Sequence, residues 1–345
     1  MNWRVWRLST WWALLWASAA VAAAWLLLRY PEAAANGVRR GLAIASQVLI
    51  PGLFPFLVLG GWLTASGLCD RLGGWLSRPL AVLGFPPAAA SVWLIGLVGG
   101  YPAGAAAMAP LVKDGRLTES QARRLLCGCV NAGPGFCVAT VGAGMLGSVR
   151  AGWLLWAAHA VAGTVTLLVL RGQREKVTPP VLSPLRLGQP LVAAAQTAAR
   201  SLLGMTAFVA LGSLLLSLLT AAEVDPLLRR AAACLIEVTG GCMEVLRSPF
   251  LLGFTLGFGG LSVHGQVASL LPFSLDSRFF LSRLLQGMLG GLLTLWWLPP
   301  SVVQTFTTPS GMQAELFASA SALGGVSLLT LCVTWLISMR KKVDF

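Results

Sequence analysis

Gly99-Gly100-Tyr101-Pro102-Ala103-Gly104 and Gly259-Gly260-Leu261-Ser262-Val263-His264-Gly265-Gln266 each cut a long apolar stretch with glycines and polar groups. The two glycine pairs stand 160 positions apart, one in each half of the chain. Hydrocarbon offers no hydrogen bond to a broken backbone, so such breaks are tolerated only inside protein or beside a watery cavity. A pair of them in corresponding places points to a transporter's solute site. The rest of the chain fits that setting. Of 345 residues 56% are apolar and only 11% charged, and the mean hydropathy is +0.77. Several windows of about 20 residues, the length that crosses a hydrocarbon core, carry almost no charge. These values exclude an ordinary soluble domain. The fold class is an all-α polytopic membrane protein, with the lipid bilayer as its first partner.

A formal net charge of +13 would suggest nucleic acid in a soluble protein. Here the basic residues lie between apolar runs and in the Arg340-Lys341-Lys342 tail, as the positive-inside rule predicts. No aromatic-rich basic domain accompanies them, so no nucleic acid is expected. Cys69, Cys127, Cys129, Cys137, Cys234, Cys242 and Cys332 form neither a disulfide framework nor a zinc spacing. Buried thiols acting as small hydrophobes are expected, with no metal and no cofactor. Zinc-protease, phosphate-loop and serine-elbow signatures are missing, so the expectation is not an enzyme.

Candidate spans fall at 10–29, 41–66, 150–170, 200–221, 277–298 and 316–338. The segments 86–111, 118–147, 228–248 and 249–273 are apolar but interrupted by Gly, Pro, Asn, Glu or His, and read as re-entrant hairpins and broken transmembrane helices. Arg4 and Arg7 precede an apolar run from Trp11 to Leu28 that is too long for a signal peptide, so an uncleaved first helix is expected. Residues 171–199 are a polar connection, with Arg171, Arg174, Lys176 and Arg186 among Pro179, Pro180, Pro184 and Pro190. Its basic residues place it in the cytoplasm. The chain thus divides into an N-terminal helix (1–40), a first half (41–170), a linker (171–199), a second half (200–300) and a C-terminal helix with a basic tail (301–345). Phe56-Leu57-Val58-Leu59-Gly60 resembles Phe208-Val209-Ala210-Leu211-Gly212, and Arg123-Arg124-Leu125 parallels Arg283-Leu284-Leu285, which suggests an internal repeat.

Four places carry the solute chemistry. In the first break Gly99, Gly100 and Gly104 allow close approach of backbones, Pro102 fixes a turn and Tyr101 offers a hydroxyl. Asn131, Gly133 and Pro134 should unwind the next helix, presenting an amide and freed carbonyls that could take a cation. Close glycine packing and a simple kink are the competing readings of these two breaks. Glu237, with Thr239 and Gly240, is a carboxylate at membrane depth, a functional candidate by default; its alternative is a cap on a short helix. In the second break Gly259 and Gly260 precede Ser262, His264 and Gln266, which would share one side if the tip is extended. His159, alone among alanines, reads as a packing residue as readily as a functional one.

These motifs together resemble the sporulation integral membrane protein YlbJ family, whose members carry the nucleoside recognition, or Gate, domain. The likeness rests on Gly99 to Ala105, Asn131 to Phe136, Glu237 to Gly241 and Gly257 to Gln266. It implies two Gate-like repeats, an endospore-forming source and a role in moving dipicolinic acid towards the developing spore. The localisation it implies is the mother-cell-derived outer forespore membrane; the residues alone give a multi-pass protein of the cell membrane. The expected function is a permease for a small anionic solute, coupled to a proton or cation, with Glu237 or His264 carrying the proton and a homo-oligomer allowed. The runner-up is a non-transporting assembly or signalling protein needed for spore maturation.

Overall fold

The computed structural model describes residues 3–170 and 189–298. The span expected at 316–338, the basic tail and most of the linker lie outside the described residues. Those described form helices and short connections. After α1 (Trp3–Arg29) the first half runs α2 (Pro31–Ile44), a π-helical turn (Ala45–Leu49), α3 (Ile50–Ala65), α4 (Leu68–Val82), α5 (Ala88–Gly99) and α6 (Tyr101–Lys113). It continues through α7 (Glu119–Cys129), a π-helical segment (Gly135–Met145) and α8 (Val149–Val169). The second half has α9 (Gln189–Ala221), α10 (Pro226–Ile236), α11 (Val238–Val245), α12 (Pro249–Phe258), α13 (Gly260–Leu270) and α14 (Ser277–Trp297). Five stretches among the described residues are long and apolar enough to cross a membrane: Pro31–Leu63, Val149–Val169, Pro190–Ala221, Pro249–Leu270 and Ser277–Trp297. Exposed Leu292, Leu295 and Trp296 on α14 and Leu14, Leu15 and Trp16 on α1 mark lipid-facing surface. The described part of the segment read as polar linker, from Gln189 onward, is helical and belongs to α9.

Two of the interrupted segments are hairpins. α5 and α6 fold back on each other at Gly100, whose φ of 87° suits glycine alone. Their arms touch where a Cβ on Gly104 would lie 3.1 Å from the Gly96 Cα. α10 and α11 turn at Glu237, and a Cβ on Gly241 would lie 2.7 Å from the Ala233 carbonyl oxygen. At 1.5 Å per residue each arm is about 12–20 Å long, half a hydrocarbon core or a little more. The packing tolerates no extra methyl: a Cβ on Gly96 would strike the Cys129 carbonyl. Gly96→Ala is expected to cost about 1–3 kcal/mol, the range for overpacked cores. Gly204, with open space beside it in α9, should accept alanine without loss. Melting temperatures of the two purified variants in detergent check this contrast.

The other interrupted segments run along a neighbour. α7 and its π-helical continuation follow α8, with Asn131 against Gly163 and Gly142 against Gly152. α12 follows α14 in the same way, Gly253 against Thr294 and Gly257 against Gln286, while α13 leaves it to pack on α6, α9 and α10 and touches the start of α14 through the His264 ring. Both halves therefore run long helix, hairpin, interrupted helix and long helix, the first with α4 inserted before its hairpin. The two copies are inverted. α2 and α3 run antiparallel to α9, since Gly37 meets Leu214 and Gly61 meets Ala194. The base of the α5–α6 hairpin shares a cleft with Ala65 at the end of α3 and Ala193 at the start of α9. The base of the α10–α11 hairpin, at Arg229 and Glu244, shares a groove with Glu32 and Thr220 at the opposite ends of those helices. The hairpins thus enter from opposite faces.

This changes the pairing of the breaks. Gly99-Gly100 is a hairpin tip whose counterpart is the tip at Glu237. Gly259-Gly260 interrupts a crossing helix, and its counterpart is the break at Asn131 to Pro134. Glycine serves a tight reversal in one place and a local unwinding in the other, so composition alone paired the wrong sites. The two arginine motifs are not counterparts either. Arg123 lies near the linker face, 2.7 Å from Glu119 and 2.7 Å from the Ser274 carbonyl, whereas Arg283 is buried in α14.

Candidate functional site

The two tips and the two breaks meet in the interior. Each tip abuts the break of its own half: a Cβ on Gly133 would lie 2.8 Å from the Gly100 nitrogen, and one on Gly260 would lie 3.1 Å from the Glu237 nitrogen. Between them is a cavity of about 40 Å³. Gly99, Gly100, Tyr101 and Pro102 line it from the first hairpin, Gly133 from the break at Asn131 to Pro134, Glu237 and Thr239 from the second hairpin, and Ser262 and Gln266 from α13. Gly104, Asn131, Pro134, Gly240, Gly259, Gly260 and His264 do not line it; they pack or shape the elements that do. Such a volume holds roughly three waters, far below the ~300 Å³ at which solute pockets begin.

Glu237 has extended backbone between α10 and α11 and is 4% exposed. Its carboxylate caps α11: the Thr239 N–H donates to Oε1 at 2.9 Å and the Gly240 N–H donates to Oε2 at 2.6 Å. Gly212 of α9 leaves room for it, since a Cβ there would lie 2.7 Å from the Glu237 Cβ. The capping role and the place in the cavity wall are thus combined in one side chain, and the helix dipole favours its negative charge.

The polar groups at the breaks are spent differently from their sequence reading. The Tyr101 hydroxyl donates to the Leu256 carbonyl near the end of α12, and its ring meets Phe136 edge-on at 6.3 Å. Asn131 turns towards α8; its Nδ2 donates to the Gly128 carbonyl at 2.8 Å. The carbonyls freed before the break at Asn131 to Pro134 do not wait for a cation. Arg283 donates to the Val130 carbonyl and, through Nη2, to the Cys127 carbonyl at 2.9 Å, while Gln286 Nε2 donates to Cys127 at 2.6 Å. Arg283 is fully buried. A cation at the C-terminal end of α7 is favoured by the dipole, and it binds one half to the other. The sequence reading noticed Arg283 only as a repeat marker. The usable signal was an arginine inside an apolar span, which at membrane depth is functional or structural by necessity.

Two successive residues of positive φ, Gly259 at 84° and Gly260 at 73°, end α12 and start α13. Ser262, His264 and Gln266 are therefore helical, not extended. Ser262 and Gln266, one turn apart, face the cavity together. His264 turns the other way, its Nε2 3.0 Å from the Phe258 carbonyl and its ring edge-on to Phe258, Phe279 and Phe280 at 4.8–5.5 Å. It closes the end of α12. His159 is packed between α8 and α14, where a Cβ on Gly290 would come within 2.6 Å of its ring. Behind the first hairpin a second cleft of about 260 Å³ reaches the cavity wall at Leu57 and Pro102, bounded by small residues of α3, α6 and α9.

The sporulation integral membrane protein YlbJ of Bacillus subtilis (strain 168) is similar to this chain, 27% identical over 327 residues that cover 79% of this chain and 80% of that protein. No family profile matches the chain, and no solved structure matches it.

Proposed function

Because this chain belongs to the family of the sporulation integral membrane protein YlbJ, we propose that it is a permease carrying a small anionic solute across the membrane, with dipicolinate the first solute to test. One observation carries the reading. Two half-length hairpins from opposite faces bring their tips to two interrupted helices around one small cavity. Irregular backbone at that depth is tolerated in protein-lined or water-filled sites, and inverted repeats of this kind alternate access around a fixed centre. The cleft behind the α5–α6 hairpin gives that hairpin room to withdraw towards α3 and α9. Its withdrawal opens the cavity to the linker face, while the α10–α11 hairpin guards the other.

Glu237 is the coupling group in this scheme. An arriving anion meets its buried carboxylate in a narrow site with room for few waters, where two like charges repel strongly, so a proton on Glu237 accompanies the solute. The other ionisable groups within its electrostatic reach are Tyr101 of α6 and Cys242 of α11; Arg283 of α14 acts on the same Tyr101. The sequence has no phosphate loop, so a gradient or a partner must drive uptake. The multi-pass protein would act in the outer forespore membrane if the solute is dipicolinate.

Purified protein in liposomes, given labelled dipicolinate or labelled nucleosides under an inward proton gradient, tests the proposal. Saturable dipicolinate uptake that collapses with the gradient is expected. Saturable nucleoside uptake without dipicolinate uptake would replace the solute. Absence of any flux would favour an assembly protein instead.

A further inference from the structure

The geometry points to a carboxylate subsite in the first turn of α13, where the Ser262 and Val263 amides and the Ser262 hydroxyl take one oxyanion group of the solute; it rests on the permease reading for the solute being cargo. The first N–H groups of any helix lack partners within it. In α13 they follow Gly259, and no side chain caps them. The helix has 11 residues, long enough to present a dipole at this end. Independently of the helix end, the Ser262 Oγ is a buried hydroxyl without a hydrogen-bond partner. Its residue is only 5% exposed and lines the cavity. A buried polar group left unpaired in its own protein is a group waiting for a ligand or water. Amides and a hydroxyl are all able to donate, the set an oxyanion needs.

The same cavity already shows how this chain holds a carboxylate. Glu237 sits on two amides at the start of α11. The subsite at α13 repeats that geometry for an external group, with Gln266 one turn further along the wall. A volume of about 40 Å³ admits a carboxylate head but not a ring, so the remainder of the solute enters only when a hairpin moves. Because Glu237 shares the cavity, a carboxylate binds more tightly once that residue is neutral.

Binding to the full chain in detergent tests this, with dipicolinate, its uncharged diamide and inorganic phosphate as probes in calorimetry and melting assays. Dipicolinate should bind and the diamide should not. Ser262→Ala should weaken dipicolinate about tenfold or more, the loss of one hydrogen bond to a charged group, while Ser262→Thr restores it. Without ligand the Ser262→Ala protein should melt no lower than the wild type, because the hydroxyl has no partner to lose. Equal dipicolinate affinity in wild type and Ser262→Ala overturns the subsite, as does phosphate binding in place of dipicolinate. If no probe binds while liposomes still take up another solute, the subsite falls and the permease stands. If dipicolinate binds as described but nothing crosses the membrane, the permease falls and the subsite stands.

Discussion

Arg283→Met is expected to yield a protein that melts far below the wild type, with Arg283→Lys between them. The guanidinium spans the Cys127 and Val130 carbonyls at the open end of α7. Methionine fills much of the space but donates nothing. The Val130 carbonyl then loses its donor at membrane depth, and Cys127 keeps only Gln286. Losing two charged hydrogen bonds and leaving a buried acceptor unmet costs about 3 kcal/mol or more. Lysine keeps the charge, but a point ammonium does not reproduce a planar fork reaching two acceptors. The measurement is thermal melting in detergent followed by size-exclusion profile. A methionine variant as stable as the wild type would mean that the two halves are joined by other contacts.

The second large effect is expected at Glu237. Glu237→Gln retains the shape of the side chain but presents one oxygen and one amide group to two backbone donors. Helix α11 loses one acceptor, a change of about 1 kcal/mol by the usual worth of an N-cap, so the protein should still insert and fold. Its flux should fall at least about tenfold, as for removal of a group acting in proton transfer. What remains should no longer respond to the proton gradient. Uptake in liposomes at matched and opposed pH separates the outcomes. A variant that keeps full gradient dependence would remove Glu237 from coupling and leave it as a cap.

The class of fold and the four breaks around the cavity were legible in the sequence, whereas the π-helical turn at Ala45–Leu49 was not. Glycine, proline, asparagine and glutamate inside apolar runs have strong local causes and few alternatives at membrane depth, so Gly100, Gly133, Glu237 and Gly260 all mark real breaks. Their pairing was not legible. Whether a chain reverses at a glycine or passes through it depends on what lies beside its arms. At Gly96 and Gly104 that is the Cys129 backbone, more than 20 residues on. The direction of His264 was likewise hidden, because residues two apart share a side in a strand and face opposite ways in a helix. The sequence around Gly260 allowed both. Arg283 was missed for another reason: its partners are carbonyls, which every residue has, so no acidic residue advertised the contact.

The bonds between halves also bear on the order in which this chain is made. Residues 127–130 leave the ribosome more than 150 residues before Arg283. Until α14 follows, the end of α7 has no donor for its last carbonyls, and the Tyr101 hydroxyl has no Leu256 to meet before α12 exists. Neither hairpin arm is long enough to be released into lipid as an independent span. The first half must therefore be kept within the insertion machinery, or in contact with water, as an unfinished fold. Its completion is delivered by the last described helix, so the early segments are stabilised late and together rather than one by one as they are synthesised.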